Sequence, residues 1–182
     1  MIQRRNFIWR TTLLLATAIV LQAFWVQTER KPVLYIIGDS TVRNGDGTGK
    51  NKQWGWGTVL HPYFDTTRIQ IQNHAIGGRS SRTFMTEGRW DRIMNNLQPG
   101  DFVIMQFGHN DAGPLDDTSR ARGTIRGIGD EEQEIYNPIR KVQEVVHTYG
   151  WYMRKYVTDT KAKGATAIVC SPVPRNNWQQ GK

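Results

Sequence analysis

A single cysteine, Cys170, in 182 residues rules out an internal disulfide, so packing and hydrogen bonding must hold the chain together. It lies in an apolar run and is expected to be a buried structural thiol. Histidine is scarce too, and the four present join no His/Cys/Asp/Glu set at metal-ligand spacing. Gly45-Asp46-Gly47-Thr48-Gly49 does not fit a phosphate loop, so no cofactor is expected. Lys/Arg clusters interleaved with aromatics are missing, and the net charge of +8 therefore does not indicate a nucleic-acid partner. Internal repeats and low-complexity tracts are absent. The uncharged run from Thr11 to Val26 is about 16 residues long, interrupted by Gln22, where a membrane-spanning helix needs about 20.

That run follows a basic opening, Met1-Ile2-Gln3-Arg4-Arg5-Asn6, and the pair reads as a targeting segment. Residues 1–28 are expected to be a signal peptide or a signal anchor, the anchor lying over residues 7–26, and the protein to be exported to the periplasm or beyond. No cysteine near the end of the segment argues for a lipoprotein anchor. The remaining residues, 29–182, suffice for one domain with one core. Their setting is a chain with 38% hydrophobic, 10% aromatic and 22% charged residues, the balance of an ordinary globular protein.

Val33-Leu34-Tyr35-Ile36-Ile37 is an unbroken apolar run of strand length, ending abruptly in Gly38-Asp39-Ser40-Thr41, as in a strand buried on both faces. Arg43 to Lys52, rich in Gly and Asn, predicts a loop. Near-helical apolar spacing predicts a helix of about three turns over Trp54 to Phe64. Arg68 to Asn73 alternates as a second strand and runs into a Gly-Gly-Arg-Ser turn. Trp90 to Leu97 predicts a short helix closed by Pro99-Gly100, and Asp101 to Phe107 a third buried strand. Residues 112–136 lack periodicity and predict a functional loop. Asn137 as cap, with Pro138 in the first turn, predicts a helix reaching about Lys163, after which Ala165 to Cys170 reads as a fourth strand. Strands alternating with helices imply an α/β fold whose parallel sheet is covered on both faces.

Three polar clusters, Gly38-Asp39-Ser40, Asn73 to Ser80 and Gly108 to Asp111, each follow a strand directly. In such folds ligands bind at the carboxyl ends of the strands, so the clusters are expected to converge on one rim. A serine just after a buried strand has its hydroxyl raised at the sheet edge; taken alone, Gly-Asp-Ser reads equally as a turn whose side chains satisfy backbone amides. The glycines of the second cluster allow a backbone N–H to point at a ligand, or serve only a turn with positive φ. The Ser40 amide, the Gly78 amide and the Asn110 side chain would together form an oxyanion hole around a carbon attacked by Ser40.

Tyr35-x-x-Gly38-Asp39-Ser40-Thr41, then Asn73-x-Ala75-x-Gly77-Gly78-Arg79-Ser80, then Gly108-His109-Asn110-Asp111, resemble the first three ordered blocks of SGNH (GDSL) hydrolases. Trp54-Gly55-Trp56-Gly57, Gly78-Arg79-Ser80, Glu87-Gly88-Arg89 and Phe107 to Asp111 resemble the rhamnogalacturonan acetylesterase branch, over residues 33–178 or so. The resemblance implies a flavodoxin-like three-layer α/β/α sandwich and hydrolysis of esters, typically acetyl groups on pectin, through an acyl-serine intermediate. It makes Ser40 the nucleophile, makes Gly78 and Asn110 partners in the oxyanion hole, and gives Asp39 the ordering of the turn. The expected partner is an acetylated polysaccharide or oligosaccharide.

The resemblance fails in one place. The family's fourth block, Asp-x-x-His, supplies the general base, and here no Asp is followed three residues later by His. The domain is thus expected to be C-terminally incomplete and weakly active or inactive alone, since an unassisted serine is a poor nucleophile. The alternative is a non-catalytic sugar-binding or surface protein on the same scaffold. His109 is the nearest stand-in base, His74 reads as a polar strand-end residue, and His61 and His147 fall on expected helices. Trp54, Trp56, Trp90 and Trp178 either stack on sugar rings or pack in the core, Trp54 being the substrate-binding candidate with Arg79. Arg79, Arg82, Arg89, Arg120 and Arg122 are expected near the rim, where cations hold uronate carboxylates or are merely solvated.

Overall fold

The structure, a computed structural model, describes residues 30–50 and 52–175. The expected leader and Trp178 lie outside the described residues. In chain order the strands are β1 (Val33–Gly38), β2 (Gln70–Asn73), β3 (Phe102–Gln106), β4 (Glu132–Asn137), β5 (Val142–His147) and β6 (Thr166–Val169). Helices α1 (Ser81–Thr86), α2 (Arg89–Met94) and α3 (Tyr149–Ala162) lie between them, with short 3-10 helices at Trp56–Thr58 and His61–Tyr63.

β1 is buried at all six positions because it is paired on both sides, in a parallel sheet of order β2-β1-β3-β6. Leu34 lies opposite Ile71 on one side and Phe102 on the other. Side chains of a strand alternate between faces, and those of β1 feed two cores. Val33, Tyr35 and Ile37 join Phe84, Trp90, Met105, Phe107 and Tyr156 beneath the helices, while Leu34 and Ile36 join Val42 and Ala75 on the opposite face. Ile36 and Ile37 are wholly excluded from solvent, each worth about 1.5–3 kcal/mol of burial. Aromatic rings fill the first core: Trp90 meets Tyr156 edge-on at 4.9 Å and Phe107 stacks on Tyr156 at 5.6 Å. Buried Asp101 fastens the strand starts, its carboxylate accepting from the amides of Val33 at 2.8 Å and Gln98 at 2.9 Å.

Elsewhere the structure departs from the sequence reading. Trp54 to Phe64 is not a three-turn helix. It is two single 3-10 turns, because Gly55 sits so close to Val42 that a Cβ there would stand 2.1 Å from the Val42 carbonyl carbon, and Pro62 follows His61 in the second turn. The Gly-Gly-Arg-Ser segment opens a helix the sequence reading omitted: Ser80 caps α1 by accepting from the Thr83 amide while Thr83 Oγ1 accepts from the Ser80 amide. The predicted helix from Asn137 is the largest error. Residues 132–147 form an antiparallel hairpin of β4 and β5, and only the part from Tyr149 is helical, with Thr148 as its cap. Asn137 does act as a local cap, accepting from the amides of Ile139 and Arg140 at 3.0 Å, but it caps a hairpin turn. His147 accordingly ends a strand. Cys170 is partly exposed, since β6 is the outer strand and Ile168 and Val169 beside it are open to solvent.

Arg82 fixes the hairpin to the body. Its side chain is fully buried, pairs with Glu144 of β5 at 2.7 Å, and donates to the carbonyls of Leu115 and Gly123. The rim role expected for Arg82 is thereby excluded: no face of it reaches solvent.

Candidate active site

The turn after β1 is built by Asp39. Its Oδ1 accepts from the amide and the hydroxyl of Thr41, both at 2.8 Å, and its carbonyl accepts from the amides of Val42 and Arg43. This closed turn holds Ser40 at the carboxyl end of the strand, partly exposed. Gln106, the last residue of β3, cross-links the strand ends: its Oε1 accepts from Trp56 Nε1 at 2.6 Å and its Nε2 donates to the Ser171 carbonyl at 2.6 Å.

The loop after β2 meets Ser40. A Cβ on Gly77 would stand 3.5 Å from that of Ser40. The next residue, Gly78, has φ +81° at the third position of a turn closed from the Arg79 amide to the Ile76 carbonyl, a geometry that admits glycine readily and other residues poorly. The carbonyls of this loop accept hydrogen bonds from later segments of the chain. Arg122 donates to that of Gly78 at 3.1 Å, and the Asn110 side chain to that of Arg79 at 2.9 Å. Asn110 is buried and engages one amide hydrogen in this way. Neither the Ser40 amide nor the Gly78 amide donates to a backbone acceptor outside helices and strands among the described residues.

Asn110 is placed by its neighbour. Asp111, buried, accepts from the amide of Ser81 at 3.0 Å and its hydroxyl at 2.5 Å, pinning the loop after β3 to the start of α1. Burial pushes the Asp111 carboxyl up to about 6, the Ser81 hydrogen bonds offsetting part of it and the Asp39 charge adding to it. The second carboxyl oxygen of each of Asp39 and Asp111 is buried without a hydrogen-bond partner.

None of the four histidines bonds to the Ser40 hydroxyl. His109 Nε2 is 2.7 Å from the Val173 carbonyl, His74 Nε2 is 3.0 Å from Gln72 Oε1, and His147 stacks on Trp151 at 3.8 Å. His61 lies in the second 3-10 turn. His74 opens instead onto a separate cavity of about 180 Å³ with Arg43, Arg89 and Arg92.

Beside Gly77 and Gly78 lies a cavity of about 390 Å³, lined also by Arg79, Thr83, Glu87, Ser119, Arg120, Arg122 and Ile139. Glu87 is shared by Arg79 at 3.1 Å and Arg89 at 2.6 Å. Trp54 does not line this cavity; it is more than half exposed and lies over Gly49. Trp90 is a core residue and Trp56 packs on the second core. Sequence reasoning missed Ile139, which the unrecognised hairpin carries to the cavity, and gave no role to Asp111, which it had placed in the third polar cluster.

The match to known proteins covers these segments. Residues 36–182 fit the GDSL-like lipase/acylhydrolase family. The chain belongs to that family. It is 37% identical over 149 residues to a rhamnogalacturonan acetylesterase of Emericella nidulans, covering 81% of this chain and 55% of that protein. A probable rhamnogalacturonan acetylesterase of Bacillus subtilis is 34% identical over 81% of this chain and 57% of its own length. The chain thus spans little more than half the length of these relatives. The crystal structure of the YxiM protein of Bacillus subtilis superimposes with a TM-score of 0.58 at 28% identity, over 80% of this chain and 34% of that one. The three-layer SGNH hydrolase fold accounts for the parallel sheet and its two packed faces.

Proposed function

We propose that this chain carries the nucleophile and oxyanion hole of a serine acetylesterase that removes acetyl groups from pectin, rhamnogalacturonan in particular, or from a related polysaccharide. The observation that supports it most is the meeting of Ser40 with the Gly77-Gly78-Arg79 loop, whose Gly78 and Arg79 carbonyls accept from Arg122 and Asn110. Ser40 Oγ attacks the acetyl carbonyl and gives its proton to a base, and the carbonyl oxygen becomes an oxyanion facing the Ser40 and Gly78 amides and the Asn110 side chain. Collapse expels the sugar oxygen, which takes up a proton, and leaves acetyl-Ser40; water then releases acetate. Each donor is worth about 3 kcal/mol at the transition state.

The base is the weak point. With no imidazole bonded to Ser40, the chain alone is expected to turn over slowly, because the hydroxyl is not activated. The same observation favours a second reading, a sugar-binding protein without turnover. Acetate release from acetylated rhamnogalacturonan separates them: release that Ser40→Ala abolishes supports the esterase, and saccharide binding with no release above the Ser40→Ala background supports the binder. The basic and apolar leader supports export as the setting for either.

A further inference from the structure

The smaller cavity, of about 180 Å³, is lined by Arg43, Arg89, Arg92 and His74, with Ile76 and Phe84 as its apolar part, and no carboxylate lines it. Its three guanidinium groups come from two segments. Arg43 closes the turn after β1, its amide donating to the Asp39 carbonyl at 3.0 Å, while Arg89 and Arg92 lie three residues apart on one side of α2. The acids nearby leave most of this charge unmatched. Glu87 pairs with Arg89 at 2.6 Å but is shared with Arg79. Asp46 accepts from the amide and hydroxyl of Thr48, and its charge faces Arg43 without forming an ion pair. Arg43 instead donates to the carbonyls of Asn73 and Asp46 at 3.3 Å. Asp91 precedes Arg92 on α2, yet the exposed Arg92 side chain has neither an ion pair nor a hydrogen-bond acceptor among the described residues. His74 senses the surplus. Its ring stands 5.7 Å from that of Tyr35 with Nε2 3.0 Å from Gln72 Oε1, and burial first, then the Arg43 charge, hold it below its usual pKa. The volume is below the range of about 300–1,000 Å³ typical of sites for whole organic ligands, and suits a small ion or one charged group.

We propose that this cavity binds one tetrahedral dianion, a sulfate or phosphate group, between Arg43 of the turn after β1 and Arg89 and Arg92 of α2. A planar carboxylate is matched by a single guanidinium fork, whereas three guanidinium groups from two segments match a double charge and oxygens spread in three dimensions. The ester chemistry makes no use of this ion, so the site stands whether or not Ser40 is a nucleophile. Its effect reaches Ser40 all the same. An ion that bridges Arg43 to α2 fastens the turn that carries Ser40, because the Arg43 amide closes that turn on the Asp39 carbonyl.

The test is an NMR titration of the His74 imidazole in the chain, without and with sodium sulfate, the signal being assigned by its loss in His74→Gln. Sulfate stays a dianion from about pH 5 to 8, where histidine titrates. A bound anion favours the imidazolium, so the His74 pKa is expected to rise with sulfate and to level off once the site is full. Arg43→Gln and Arg92→Gln are each expected to raise the sulfate needed for half of that rise about tenfold, the effect of losing one charge-assisted contact. Arg92 bonds to nothing among the described residues, so its variant reads the site even where Arg43→Gln disturbs the turn. Acetate, a monoanion with one carboxylate, is expected to act at least about tenfold more weakly than sulfate. Galactose 6-sulfate separates the sources of the group: strength equal to that of sulfate assigns the site to an esterified group on a sugar, a much weaker response assigns it to the free ion, and either keeps the site. A rise that sodium chloride of equal ionic strength reproduces is screening alone and overturns it. An equal response to acetate, or a response unchanged in both arginine variants, overturns it as well.

Discussion

The side-chain amide of Asn110 donates to the carbonyl of Arg79 at 2.9 Å, joining the loop after β3 to the loop after β2 across 31 positions of sequence. One contact thereby sets both the Asn110 amide and the peptide next to Gly78. Asn110→Ala removes a donor and releases the loop, and the expected loss is about 10²–10³ in Ser40-dependent kcat, with KM nearly unchanged. Steady-state kinetics on an acetyl ester against Ser40→Ala background checks it; a loss confined to KM contradicts the oxyanion role.

Glu144 holds the only acid against buried Arg82 among the ion pairs of the described residues. Burial raises the Glu144 carboxyl, but hydrogen bonds from Arg82 and Asn137 outweigh it and leave the group below its usual value. A lowered carboxylate contributes stability above its unfolded pKa and loses it as pH falls. Glu144→Gln leaves the guanidinium without its counter-charge and is expected to cost about 3–5 kcal/mol at neutral pH, read as a shift of the denaturant midpoint. A change below about 1 kcal/mol would place the pair at the surface.

Asp111 runs the other way. Its carboxyl is raised to about 6, so it favours the folded state below the unfolded value of 3.8 and that contribution is lost as pH rises through 6. Asp111→Asn copies the neutral form and keeps an acceptor for Ser81. The variant is expected to be more stable than the parent at pH 8, by about 3 kcal/mol, and to converge with it towards pH 4. Thermal melts across that range settle the sign, and a gap that widens on acidification refutes it.

Gly55→Ala tests the packing of the 3-10 segment. The new Cβ would stand 2.1 Å from a backbone carbon of Val42, a clash that no rotamer relieves. A loss of about 3 kcal/mol is expected from overpacking.

How far the sequence carried these conclusions depends on the kind of signal. β1 was legible because a strand buried on both faces needs an unbroken apolar run. The placement of Ser40, Gly78 and Asn110 in loops at one edge of the sheet was legible because each sits within a few residues of a strand end, where the sheet does the positioning. The hairpin was not: Val142, Val145, Val146 and Tyr149 recur at three- and four-residue spacing, which fits a helix, while their β-branched side chains favour strands. Pairing with β4 decided the matter, and pairing leaves no local trace. Helix α1 was hidden because its capping box closes on Thr83 in place of Glu or Gln. Arg82 looked like its neighbours at the rim, and only the fold shows that it is buried against Glu144.

The central proposal is that Ser40 is a nucleophile served by the Gly78 amide and the Asn110 side chain, with no histidine bonded to it among the described residues. Acetate release from acetylated rhamnogalacturonan by the folded chain, with and without added imidazole and always against Ser40→Ala, tests it most directly. The account predicts slow release that Ser40→Ala abolishes and that imidazole accelerates only when Ser40 is present. Release that is the same in Ser40→Ala, or fast release that imidazole leaves unchanged and His109→Ala destroys, would contradict it.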